Sequence, residues 1–227
     1  ENLNCSQIKL SNKQQNILIE GNLNFAGEYY QYIGKNFETD ITSSISKFEK
    51  VTISNSNFYF DKNFNFNFDK KNKILDIYQL KFGARAFFYE GIVEDIYINF
   101  HGYNENSNYD FINYPIDENN LTGCLSFINL KIRKILINTK GSSCEDAINL
   151  INVNGSINEI NIENSFSDGL DVDFSRVEIN SIKIDSAHND CVDFSAGNYK
   201  INILKLKNCG DKALSVGEKS FLTLNTI

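Results

Sequence analysis

Four segments decide the fold: Cys144–Leu150 (CEDAINL), Ser167–Phe174 (SDGLDVDF), Asn189–Phe194 (NDCVDF) and Gly210–Glu218 (GDKALSVGE). Ile148, Leu170, Val192 and Leu214 fall 22 residues apart, as do Leu150, Val172, Phe194 and Val216. Between them Asn149, Asp171, Asp193 and Ser215 keep the same step, and so do the small residues Ala147, Gly169, Cys191 and Ala213. Further along each repeat, Ile157, Ile179 and Ile201, then Ile160, Ile182 and Leu204, then Ile162, Ile184 and Leu206 form more apolar columns. A fixed period of this size signals a solenoid or an array. Alternating apolar and polar residues within each repeat is strand patterning. One such strand set cannot bury its apolar face alone, so successive repeats must stack to make a core. At about 3.3 Å per residue, one repeat makes a coil of roughly three short strands. The expectation is an all-β fold, a right-handed parallel β-helix. A leucine-rich repeat is excluded, because its Leu-x-x-Leu-x-Leu and Asn pattern is missing and no repeat has a helical half.

Outward from this stretch the period persists, then fades. Gly123–Phe127 matches Asp146–Leu150 at a step of 23, and Ile132, Ile135 and Ile137 match Ile157, Ile160 and Ile162 at a step of 25, so regular coils begin near Leu121. Residues 101–120 (HGYNENSNYDFINYPIDENN) form the longest polar stretch and hold the single Pro, Pro115, which reads as a loop. Such loops either carry binding function or are simple insertions. Residues 1–120 read as irregular early β coils. Ile74–Phe82 and Ile92–Phe100 alternate as strands, and Phe58, Phe60, Phe64, Phe66 and Phe68 line one face of two more. Asn16–Phe25 alternates as well, and Ile41–Ile53 reads as strand or short helix. The whole is one continuous solenoid domain.

Composition removes several functions. A net charge of −7 with no basic stripe speaks against nucleic acid as a partner. No run approaches the 18 or more apolar residues of a membrane helix. Met 0 means that Glu1 is a processed or otherwise defined start, and the uncapped end at Thr226 and Ile227 reads as a solenoid cut short of its C-terminal coils. No Gly-rich phosphate cradle, GxSxG, CxxC or metal-type His cluster is present.

The segments LTGCLSF, CEDAIN, SDGLDVDFS, NDCVDFS and GDKALSVGEKS, within about residues 121–220, resemble the β-helix region of an uncharacterised family of bacterial secreted or surface proteins. That region is found in or fused to spore-coat-kinase-like (CotH-type) proteins. The resemblance implies a right-handed parallel β-helix in an extracellular or cell-envelope setting, and no established reaction.

Alternation turns Asn149, Asp171, Asp193 and Ser215 outward, stacked one coil apart. With coils about 4.8 Å apart, the Asp171 and Asp193 carboxylates lie at roughly 5 Å. Two bare charges there repel by about 3 kcal/mol at an effective dielectric of 20. Asp168 and Asp190 form a second pair, with Asp146 beneath, Lys212 above, and Glu145 and Asp173 close by. Three readings follow. In the first, Asp168, Asp171, Asp190 and Asp193 hold a cation, which oxygen-only ligands make Ca²⁺. In the second, Asp171, Asp173, Asp193, Lys212 and His188 serve catalysis on a polysaccharide or cell-envelope glycan, as a lyase, epimerase or glycosidase. In the third, the repeated Asp bonds backbone N–H groups at coil corners and the protein is a structural or adhesive surface module. For Lys212 the plain alternative is a charge partner of Asp190, and for His188 a corner filler. His101 opens the polar loop.

The five cysteines are Cys5, Cys124, Cys144, Cys191 and Cys209. Cys124 and Cys191 share a column about three coils, roughly 14 Å, apart and cannot bridge. Cys124–Cys144 and Cys191–Cys209 close only where a corner brings one over the other. The expectation favours small buried thiols.

Overall fold

The structure, a computed structural model, describes residues 9–10, 17–20, 47–103, 121–217 and 219–226. Two short strands, β1 (Lys9–Leu10) and β2 (Ile17–Glu20), come first, followed by β3 (Glu49–Ile53), β4 (Asn55–Phe60), β5 (Phe64–Asp69) and β6 (Ile74–Gln79). Six coils follow as pairs of strands. They are β7 (Ala86–Glu94) with β8 (Tyr97–His101), β9 (Gly123–Ile128) with β10 (Lys131–Lys140), and β11 (Asp146–Ile151) with β12 (Asn154–Ser165). The last three are β13 (Asp168–Asp173) with β14 (Arg176–Ala187), β15 (Val192–Ser195) with β16 (Asn198–Cys209), and β17 (Leu214–Val216) with β18 (Phe221–Thr226). No α-helix occurs among the described residues. The chain is a parallel β-solenoid.

The register is the sequence period made physical. Ile148 pairs Leu125 below and Leu170 above, Leu170 pairs Val192, and Val192 pairs Leu214. Phe88, Phe127, Leu150, Val172 and Phe194 form the neighbouring inward column, all buried, with the Phe88 and Phe127 rings stacked at 5.2 Å. The long strands bend once to make two more faces, and the column Ile157–Ile179–Ile201 lies in register across three coils.

Corners recur at fixed columns. Glu90, Asn129, Asn152, Phe174, Ala196 and Lys219 all have φ between 49° and 58°. A second column, Gly141, Asn164, Ser186 and Asn208, is left-handed too. Asn, which tolerates this region, fills four of these ten places, and only stacking on both sides holds Phe174 there. The corner N–H groups reach up one coil, Asn129 to the Ile151 carbonyl, Asn152 to Asp173 and Phe174 to Ser195. Gly155 has φ +135°, and a Cβ there would overlap the Ile132 carbonyl oxygen, so this corner admits only glycine.

The early half is mixed: β7 and β8 make a coil in parallel register with β9 and β10, and β6 runs parallel to β8. β3 and β4 form an antiparallel hairpin whose second strand pairs antiparallel with β7, and β5 and β6 form another. Phe58, Phe60 and Phe64 plug the lower end of the core, with Phe66 and Phe68 half-buried against it. Large rings suit a site where the repeat gives out, because one ring fills the depth of several aliphatic side chains. At the far end β2 pairs antiparallel with β18, Leu222 opposite Ile19 and Leu224 opposite Ile17. The β18 edge is therefore not bare over that span. Of the 101–120 segment only residues 101–103 are described, and 104–120 lie outside the described residues, as does Cys5.

The expectation of free thiols is overturned. Cys124–Cys144 and Cys191–Cys209 are both disulfides with Cα separations of 5.3 Å. The corner after β10 and the one ending β16 each return the second cysteine over the first, so each bridge closes its own coil into a ring. By the loop-closure argument a ring of 18 residues stabilises by about 3 kcal/mol. Urea unfolding of the Cys191→Ser/Cys209→Ser variant should show a loss of that order, and an unmoved midpoint would contradict it.

Candidate functional site: a carboxylate cluster outside the first coil face

The first face of the solenoid, β9, β11, β13, β15 and β17, presents three columns outward. One is Ser126–Asn149–Asp171–Asp193–Ser215. Beside it runs Gly123–Asp146–Asp168, continued at the same 22-residue step by Asp190 and Lys212. The third is Ile128–Ile151–Asp173–Ser195.

Outward does not mean open. Ser126, Asp146 and Asn149 are each 1% exposed. A second apolar cluster, built on Tyr59, Phe87, Tyr89, Leu121 and Ile128, packs on the outside of this face. Thr122 reaches over its lower end, and Arg85 donates to the backbone carbonyls of Thr122 and Gly123. Gly123 makes room: a Cβ there would lie 2.8 Å from the Asn149 Cβ. Higher up, Asp171, Asp173 and Asp193 are only half-buried. The face therefore runs from a sealed lower end to a partly open upper one.

Each carboxylate solves its repulsion differently. Asn149 Nδ2 sits amid oxygens, 3.1 Å from Asp146 Oδ2, 2.9 Å from Asp171 Oδ2 and 3.2 Å from Thr122 Oγ1. Its own Oδ1 is buried and finds no partner among the described residues, and the same holds for Asp193 Oδ1. Asp171 and Asp173, two apart on β13, lie on the same outward side of the strand. Burial, then the Asp173 charge, pushes Asp171 well above the usual carboxylate range. Burial, then the Asp146 charge, raises Asp173 to about 7. Asp146 is pushed well up by burial and by Glu145, and Glu145 up by burial and by Asp168. Asp193 rises through burial, against a hydrogen bond from Ser215. One oxygen from each of Glu145, Asp146 and Asp168 falls within 4.8 Å of the others.

Asp168 and Asp190 act as corner devices. Asp168 Oδ1 accepts the Asp190 backbone N–H at 2.9 Å and Asn189 Nδ2 at 2.7 Å. Asp190 Oδ1 accepts the Lys212 backbone N–H at 2.8 Å, and Lys212 Nζ lies 2.9 Å from Asp190 Oδ2. Hydrogen bonds to Asp211 and Asp190 hold the Lys212 ammonium above its ordinary value, so it is a charge partner and a poor base. His188 is exposed, with Nδ1 2.9 Å from the Ser165 carbonyl oxygen, and braces a corner. His101 ends β8 on another face, stacked on Tyr78 at 4.7 Å.

The structure thus brings Asp171, Asp173 and Asp193 together and engages Asp190, Lys212 and His188 with other partners, although the Asp190 and Lys212 charges still reach Asp193. Glu145, Asp146 and Asn149 join the cluster, and Asn149 was legible as the one amide in a carboxylate column. Comparison with family models, curated proteins and solved structures found no match. No described helix is long and apolar enough to cross a membrane.

A carboxyl with a raised folded value binds its proton more tightly in the folded protein than in the unfolded one. The stability it adds is complete below about 3.8, its unfolded value, and is lost as pH climbs through about 7 for Asp173. In chelator-treated buffer the protein should melt at a higher temperature at pH 5 than at pH 8, and Asp171→Asn should narrow the gap. Equal melting temperatures in wild type would contradict this.

Proposed function

We propose that this β-solenoid is an extracellular or cell-surface protein acting on polysaccharide, with Asp171 as its acid, Asp193 as its nucleophile and Asp173 beside them. The observation that supports this most is the outward pair Asp171 and Asp173 on β13, with Asp193 opposite Asp171 one coil on, placed where the outer face begins to open. Glycosidic cleavage needs one carboxyl bearing a proton and another ionised. Asp171 would protonate the leaving oxygen while Asp193, one coil away, attacks the anomeric carbon. Water would then release the sugar, returning its proton to Asp171. A separation of one coil, about 4.8 Å, is nearer the 5–5.5 Å of retaining enzymes than the longer inverting gap. Hydrolysis is favoured over elimination, because Lys212 is held protonated and does not supply a base. The two disulfides favour an oxidising compartment, in keeping with the resemblance to bacterial secreted or surface β-helix proteins of the CotH-associated kind.

A second reading is favoured for part of the ladder. The backbone N–H bonds to Asp168 and Asp190 are what a coil-corner device makes, and a purely structural or adhesive module would need nothing more. Release of reducing ends from a panel of neutral, amino and uronate polysaccharides separates the two. Asp171→Asn and Asp193→Asn should each lower turnover by about 10²–10⁴-fold or more, at least the usual worth of a positioned acid or base, with the folded state retained. Turnover equal to wild type in both variants would overturn the catalytic reading.

A further inference from the structure

We propose that the outer side of the third solenoid face is an anchoring groove for a linear acidic polysaccharide of the uronate class. This face is built from β6, β8 and the later halves of β10, β12, β14 and β16, stacked in parallel register. Two columns point outward along it. One is Asp76–Asn99–Asn138–Asn161–Lys183–Lys205, and the other is Tyr78–His101–Lys140–Glu163–Asp185–Lys207. A groove of about 1200 Å³ runs along them, from Asn99 and His101 at one end to Lys205 and Lys207 at the other. It crosses five coils, about 19 Å of stacked strands, and includes none of the carboxylates of the first face.

Two features specify the ligand. The first is an excess of donors. Asn99 Nδ2 donates to Asp76 Oδ1 at 2.9 Å, and Asn138 Nδ2 to Asn99 Oδ1 at 3.1 Å. Asn161 Nδ2 donates to both Asn138 Oδ1 and Glu159 Oε1. A carboxamide nitrogen carries two hydrogens, so Asn99 and Asn138 each keep one for a ligand. Lys183 is held by Glu159 and Lys207 by Asp185, while Lys140 and Lys205 have no ion-pair partner among the described residues. Setting Glu163, the unpaired acid of the groove, against Lys140 one coil below leaves Lys205 and both amide hydrogens unmatched. A ligand rich in acceptors and negatively charged complements them. The second feature is exposed aromatic surface. Tyr78, 42% exposed, lies parallel to the His101 ring at 4.7 Å, and Tyr97, 50% exposed, stands on the other side of Asn99 along β8. A sugar ring matches this pairing, because its C–H face stacks on aromatic rings while its rim accepts hydrogen bonds. Nucleic acid also stacks, but it calls for many phosphate-binding cations where this groove has two unpaired ones. The first-face carboxylates repel an acidic chain, so the groove serves anchoring and goes beyond the cleavage reading.

The test is calorimetric titration of oligogalacturonate into the intact protein at low ionic strength. Saturable binding is expected, weakened about tenfold or more by molar NaCl, where the screening length falls to about 3 Å. Full methyl esterification of the probe, which removes its charge and keeps its rings, should weaken binding as much. Lys205→Glu and Tyr78→Ala change exposed side chains, so each should keep the wild-type melting temperature while weakening binding about fivefold or more. No saturable heat at millimolar uronate, equal affinity for the ester, or unchanged affinity in either folded variant would overturn the proposal. Tighter binding of oligothymidylate than of oligogalacturonate would overturn it as well. Binding is read without turnover, so this groove and the glycosidase reading stand or fall separately.

Discussion

Stacking at one strand spacing forces every side chain to meet its equivalent from the next coil about 4.8 Å away. For Ile157, Ile179 and Ile201 this builds a core at no electrostatic cost. For Asn129 and Asn152 it makes an amide ladder, with Asn152 Nδ2 donating to Asn129 Oδ1 at 2.8 Å. For ion pairs the same rule sets Lys183 on Glu159 and Lys200 on Glu178, each at 2.8 Å. Exposed pairs of this sort contribute at most about 1 kcal/mol each. For Asp upon Asp the rule becomes a problem, and the outer side of the first face is organised around it.

The answers found along that face are chemically distinct. Asn149 interposes an N–H₂ group between Asp146 and Asp171. Asp171 and Asp173 are both pushed above the ordinary carboxylate range, first by burial and then by neighbouring carboxylate charge. Asp168 and Asp190 spend their charge on backbone N–H groups one coil up, and Lys212 closes the series with an ammonium. Burial and a neighbouring carboxylate raise both Glu145 and Asp146, against hydrogen bonds from Thr122 and Asn149 at Asp146 and the Arg85 charge at Glu145. A protein that wanted only a neat corner would place Asn or Ser in these columns, as it does at Ser126 and Ser215. Keeping carboxylates at 145, 146, 168, 171, 173 and 193 costs stability near neutrality, and that cost is the physical reason to look for work done there.

The fold was readable because the coils obey a strict period: Leu125, Ile148, Leu170, Val192 and Leu214 were aligned by number before they were aligned in space. What escaped lay where the period stops. The hairpins of β3 to β6 pair antiparallel and leave no 22-residue trace, so the cap of Phe58 and Phe64 was visible only as aromatic alternation. Alternation placed Asn149 and Asp146 outward correctly, yet could not show that Leu121, Thr122 and the Tyr59–Phe87 cluster lie over them. The disulfides escaped for a related reason. Their closure depends on how a corner folds back, and spacings of 18 and 20 residues in a coil of 22 do not encode that.

The central claim is that this carboxylate cluster is held partly protonated near neutral pH by burial and by its own crowding. Carboxyl-carbon NMR of metal-free protein, titrated from pH 3 to pH 9 with Asp171→Asn and Asp173→Asn for assignment, measures it directly. Asp173 should titrate near 7 and Asp171 and Asp146 well above the ordinary range, while exposed Asp185, held down by Lys207 and Asn208, titrates below it. If every aspartate finishes titrating by about pH 5, as ordinary solvated carboxyls do, the cluster is neither crowded nor dry and the account fails.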